Sequence, residues 1–120
     1  MPRIAYVDGA YVPLAEAAVS IEDRGFQFAD GIYEVAAALN GRLFDWPQHA
    51  ARLRRNLAQL SIAEPMSPKA LELVGRRLLA KNGAAGALLY IQVTRGTSRR
   101  DHPFPAATRP TLVMTARPFD

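Results

Sequence analysis

Two dipeptides, Asp8-Gly9 and Asn40-Gly41, constrain the fold of this chain more than any other feature. Each lies between short runs suited to β-structure, and each suits a two-residue turn whose central positions adopt positive φ. A turn that tight joins antiparallel strands. Ile4-Ala5-Tyr6-Val7 is therefore expected to pair with Ala10-Tyr11-Val12, and Ile32 to Leu39 with Arg42-Leu43-Phe44. The alanines at 36 to 38 would also suit a helix, but the Asn40-Gly41 turn favours a strand there. Ala87 to Val93 and Pro110 to Thr115 are two further β-rich runs.

Between the hairpins and these later runs the periodicity changes to that of helices. Ala50, Leu53, Leu57 and Leu60 recur at spacings of three and four, which places them on one face of a helix running to about Leu60. Asp45 is positioned to cap it, with Pro47 in the first turn and Gln48 completing a capping box. Ser67-Pro68 opens a second helix whose inner face is Leu71, Val74 and Leu78, and Asn82-Gly83 supplies its stop. The expected architecture is α+β: an antiparallel sheet with two amphipathic helices packed on one face. At 120 residues and 49% hydrophobic, the chain suits one domain, without an internal repeat or a low-complexity linker.

Composition narrows the chemistry. There is no cysteine, and the two histidines, His49 and His102, are far apart in sequence, which disfavours a metal site. No apolar run approaches the roughly 20 residues that span a bilayer, and the N-terminus lacks a signal-peptide block. A cytoplasmic location without membrane partners is expected. The net charge of +4 raises the question of nucleic acid, but thirteen of the fifteen basic residues are arginines and no nucleic-acid motif accompanies them. Arg52, Arg54, Arg55, Arg76 and Arg77 lie in helical stretches and read, on composition and pattern alone, as solvated or helix-end charges.

Two segments stand out against this frame. Thr94-Arg95-Gly96-Thr97-Ser98-Arg99-Arg100-Asp101-His102 ends an apolar run with three arginines and a histidine, a donor set suited to a small anion such as a carboxylate or phosphate. Glu22 to Glu34 concentrates charge, glycine and aromatics, and Asp23, Arg24 and Asp30 are placed to fix that loop through charge-assisted bonds.

Arg24-Gly25-Phe26-Gln27-Phe28-Ala29-Asp30-Gly31-Ile32-Tyr33-Glu34, then His49-Ala50-Ala51-Arg52-Leu53, then Arg95 to His102 occur in the order and approximate spacing of a known family. The chain resembles the class IV, fold-type IV pyridoxal-phosphate aminotransferases, and within them the D-amino acid (D-alanine) branch. Branched-chain aminotransferases and aminodeoxychorismate lyases share the fold, whereas the Arg-x-His ending is characteristic of the D-amino acid branch. The resemblance covers essentially all 120 residues but only that family's smaller N-terminal domain. Arg99 and Asp101 depart from its usual pattern.

The resemblance implies a role for each matched residue. Arg52 would bind the phosphate of pyridoxal 5'-phosphate, while Tyr33, Arg100 and His102 would hold the substrate carboxylate and so bias which face of Cα reacts. In an extended segment Asp101 would point away from Arg100 and His102. The family's Arg-x-His loop enters the active site of a second subunit, so a homodimer is implied, with amino acid and 2-oxo acid substrates. Arg95 and Arg99 are left as loop-positioning or surface charges. The Schiff-base lysine belongs to the family's C-terminal domain, and neither Lys69 nor Lys81 matches it. Residues 1–120 are therefore expected to be a fragment or a separated domain, inactive alone. The competing expectation, from a different class, is a stand-alone dimeric domain that binds phosphate ligands through its arginines.

Overall fold

The computed structural model describes residues 3–119. Six strands form one sheet: β1 (Ile4–Val7), β2 (Ala10–Pro13), β3 (Gly31–Leu39), β4 (Arg42–Leu43), β5 (Gly86–Thr94) and β6 (Thr111–Pro118). Their order is β2-β1-β6-β5-β3-β4, and every neighbouring pair is antiparallel. Both hairpins form as expected, with Asp8, Gly9, Asn40 and Gly41 all at positive φ.

Among the described residues, a 3-10 turn at Leu14–Glu16 and three α-helices complete the fold: α1 (Arg24–Phe28), α2 (Trp46–Gln59) and α3 (Pro68–Asn82). The two long ones are the amphipathic pair. They bury Leu53 and Leu57 from α2 and Leu71 and Leu78 from α3 against Leu89 and Ile91 of β5 and Met114 of β6. Burying each such side chain stabilises the fold by about 1.5–3 kcal/mol. The strand residues that alternate with this set face the other way, where Tyr33, Val35 and Leu39 remain exposed.

The start of α2 departs from the expected capping box. Asp45 is left-handed, at φ 55° and ψ 32°, and its side chain makes no cap bond; its carbonyl instead accepts the His49 N–H at 3.0 Å. The α3 boundaries follow their signals, with Ser67 Oγ accepting from the Ala70 amide and Gly83 left-handed at the end.

The five-residue α1 has no apolar stripe of its own. It is nucleated by Asp23, whose carboxylate accepts the Gly25 amide at 2.8 Å, and it closes at left-handed Ala29. Backbone bonds then pin this loop to the start of the basic segment: the Arg24 amide donates to Gly96 O at 2.8 Å and the Arg95 amide to Asp30 O at 3.0 Å. Gly96 makes the joint possible. It adopts φ 112°, and a Cβ there would be driven into the backbone carbonyl of Arg109. Gly96→Ala is expected to lower unfolding free energy by about 3 kcal/mol, combining strain with overpacking. Urea unfolding checks this; a loss below about 0.5 kcal/mol would mean that the loop relaxes freely.

Candidate functional site

Arg52 lies on α2 where it overhangs β3, and its guanidinium meets the Glu34 carboxylate side-on. Nε donates to Oε2 at 2.7 Å and Nη2 to Oε1 at 2.8 Å. His49, three residues earlier on the same helix, places Nδ1 2.8 Å from Oε1 of the same carboxylate. Glu34 is buried while the Arg52 side chain is 56% exposed, so an interior anion orients a cation that still reaches solvent. Two of the five guanidinium N–H groups are used in this fork. The rest can receive an anion from outside, and a phosphate matches that donor set. These residues therefore fit the phosphate of the implied cofactor.

Sequence reasoning does not single out Glu34, although a signal for it is present. It shares strand parity with Ala36 and Ala38, both buried beneath the helices, and a carboxylate on that face requires a partner. Burial raises its pKa, but hydrogen bonds and charge from Arg52 and His49 outweigh burial and hold it below the ordinary value. In return, the hydrogen bond and charge of Glu34 raise the pKa of Arg52 and keep it protonated.

The segment carrying Arg100 and His102 does not take the extended geometry expected. The backbone bends at Arg100 and again at His102, and the Asp101 carboxylate turns back to accept the His102 amide at 2.9 Å. What they share is Phe28 at the end of α1: the Arg100 guanidinium carbon lies 5.5 Å from its ring centre, and the His102 ring centre lies 5.8 Å away. Asp101 and Arg99 are exposed, as are Arg100 and His102, so the alternation of sides expected around Asp101 is not seen. Tyr33 belongs to neither cluster. It is 64% exposed on the open face of β3 and stacks on Tyr90 at 5.9 Å, a diagonal pair across β3 and β5.

Arg95 is an interior residue. It shares Asp30 Oδ2 with Arg24, each Nε donating at 2.8 Å, and its Nη2 donates to Leu60 O at 2.7 Å at the end of α2. Phe104 covers it, 3.9 Å from guanidinium carbon to ring centre. Of the two roles left open for Arg95, loop positioning matches this geometry. Burial raises the pKa of Asp30, but hydrogen bonds and charge from Arg95 and Arg24 outweigh burial and the net direction is down.

Two depressed carboxylates fix the sign of the acid response. Each stabilises the fold above its unfolded pKa, and that contribution disappears as pH falls through its lower folded value. Stability is expected to show no dependence on Asp30 or Glu34 near neutrality and to decline below their ordinary values of 3.8 and 4.5. Urea unfolding from about pH 7 to about pH 3 tests this, and a decline starting above about pH 6 would implicate a histidine instead.

No helix among the described residues is long and apolar enough to cross a membrane. The chain is similar to D-alanine aminotransferase from Staphylococcus haemolyticus, at 35% identity over 116 residues covering 96% of this chain and 41% of that protein. Its fold matches the branched-chain amino acid aminotransferase from Escherichia coli at a TM-score of 0.90, with 16% identity, over 99% of this chain and 42% of the other. It also matches the branched-chain aminotransferase from the thermophilic archaeon Thermoproteus uzoniensis, solved with norvaline, at 0.88, with 17% identity, over 100% and 42%. The chain thus spans about two fifths of the length of these proteins. The family model described as amino-transferase class IV matches residues 31–120. With three quarters of its residues inside that match, the chain belongs to the class IV aminotransferases, a family that uses pyridoxal phosphate.

Proposed function

We propose that this chain is the N-terminal small domain, residues 1–120, of a pyridoxal 5'-phosphate-dependent transaminase. It would transfer an amino group between a D-amino acid of the D-alanine or D-glutamate type and a 2-oxo acid. The observation that carries this reading is Arg52, held side-on by the buried Glu34 carboxylate with its remaining donors open to solvent. Similarity to a D-alanine aminotransferase over nearly the whole chain supports the choice of substrate.

When bound, the cofactor supplies the electron sink that allows the Cα proton to move. This chain contributes binding and orientation. Arg52 takes the phosphate, and Glu34 with His49 keeps the guanidinium from rotating, so little side-chain freedom is lost on binding. Arg100 supplies charge for the substrate carboxylate, while His102 and Tyr33 add directed donors. A carboxylate held by such donors cannot rotate freely, and its orientation selects the exposed face of Cα. Arg100 and His102 gather on Phe28, whereas Tyr33 stacks on Tyr90. That division agrees with a homodimer in which the 95–102 loop serves the neighbouring subunit. The lysine that reacts with the substrate would lie in a C-terminal domain, leaving the 120-residue chain inactive alone.

The test is an amino-transfer assay on the protein that carries this chain together with its downstream sequence. D-Alanine and 2-oxoglutarate are expected to give pyruvate, with L-leucine a poor donor. Preference for L-leucine would point to a branched-chain aminotransferase, and elimination of pyruvate from aminodeoxychorismate to the lyase of the same fold. Phosphate-ligand binding by the 120 residues without any transfer by the longer protein would favour a scaffold role.

A further inference from the structure

The segment from Arg99 to Phe104 is exposed along its length, yet it carries two of the residues assigned to the substrate carboxylate. Among its side chains Phe104 packs over Arg95, whereas Arg100 and His102 meet only the Phe28 ring and the Asp101 carboxylate bonds only the next amide. The interior also grips its backbone, beside those residues. Arg24, 3% exposed, donates from Nη1 to Asp101 O at 2.8 Å and approaches His102 O through Nη2 at 3.5 Å. The same guanidinium is anchored through Nε to Asp30 and lies 4.6 Å from the centre of the Phe28 ring, the ring that Arg100 and His102 also meet.

We propose that Arg24 is a positioning residue for carboxylate recognition: by holding the carbonyls of Asp101 and His102 and backing the Phe28 ring, it sets where Arg100 and His102 present their donors. This rests on the reading of Arg100 and His102 as carboxylate ligands. The planar fork is what the task requires. Three separate groups, the Asp30 carboxylate and two carbonyls, meet three nitrogens of one rigid cation, and a lysine ammonium at the end of a flexible stem cannot meet them together. Asp30 is tied in turn through Arg95 to the end of α2, so the loop's position is referred to the helix that bears Arg52.

The test uses the full-length protein, with D-alanine as substrate and propionate as a competitive carboxylate probe. Arg24→Lys is expected to raise the KM for D-alanine and the inhibition constant of propionate by about tenfold each, while cofactor affinity stays within about twofold. In an Arg100→Leu/His102→Ala background the same lysine substitution is expected to change KM by less than about twofold, because nothing remains to position. An equal penalty in both backgrounds, or a parallel loss of cofactor affinity, would reduce Arg24 to a general structural role and overturn the proposal. Should Arg24→Lys fail to fold, Phe28→Leu removes the shared ring from a half-buried site and is expected to raise both constants in the same way; no rise would overturn the proposal. If Arg100→Leu itself leaves propionate inhibition unchanged, the underlying carboxylate assignment fails. If Arg100→Leu weakens propionate and Arg24→Lys does not, only the positioning role fails.

Discussion

Asp30→Ala is expected to remove about 3–5 kcal/mol of folding free energy, the amount typical when one partner of a buried ion pair is deleted and the other charge is left unpaired. Here two charges are stranded. Arg24 and Arg95 both donate to Asp30 Oδ2 at 2.8 Å, and their side chains are only 3% and 8% exposed. Removing the carboxylate leaves two guanidinium groups close together inside the protein, repelling one another with partial compensation from the carbonyls of Leu60, Ser61 and Asp101. Globular proteins are stable by only about 5–15 kcal/mol, so a loss of this size is a large fraction of the margin. The urea midpoint should fall with an unchanged slope, and the amides of Arg99 to His102 should exchange faster than they do in the unsubstituted protein. A loss under about 1 kcal/mol would mean that water or a rearranged side chain replaces the carboxylate.

The second large effect is a separation of two binding functions. In the full-length protein, Arg100→Leu is expected to raise the KM for D-alanine by about 10- to 100-fold with cofactor affinity nearly unchanged. Arg52→Ala should do the reverse, weakening pyridoxal phosphate by a similar factor with a smaller effect on the amino acid. The structure separates the two cations: Arg52 is held by Glu34 and His49 between α2 and β3, whereas Arg100 lies on Phe28 beyond the end of α1. Cofactor titration followed by steady-state kinetics reads both quantities. Equal effects of the two substitutions on both constants would mean that the arginines serve one site or merely stabilise the fold.

How much of this is legible in the residues depends on how local the determining physics is. Turns at Asp8-Gly9 and Asn40-Gly41, the leucine stripes of the long helices and the Ser67-Pro68 start are decided within a few residues, and all form as read. The left-handed Asp45 is not legible, because a backbone conformation that forfeits a side-chain cap follows from the entry path of the chain. Helix α1 is hidden for a related reason: five residues carry no periodic stripe, and Asp23 and the bond to Gly96 hold it.

The site shows the same division. The motifs mark Arg52, Arg100 and His102, but the partners that orient them come from distant parts of the chain. Glu34 lies 18 residues from Arg52, Asp30 lies 65 from Arg95, and Arg24 lies 77 from the carbonyl it holds. Strand parity could have exposed Glu34, since Ala36 and Ala38 share its buried face. Nothing in residue spacing distinguishes Arg95 as interior from Arg99 as surface; that assignment requires knowing that Asp30 is reached from both sides. The extended parity expected around Asp101 gives way because its carboxylate bonds the next amide and bends the chain.

The central claim is that these residues form the phosphate- and carboxylate-binding part of a D-amino acid transaminase, and the half-reaction tests it most directly. The full-length protein, saturated with pyridoxal 5'-phosphate, is expected to show a visible absorption band that D-alanine bleaches, with release of pyruvate, and that L-alanine leaves in place. A folded, cofactor-saturated protein whose band fails to respond to D-alanine, or responds equally to both enantiomers, would contradict it.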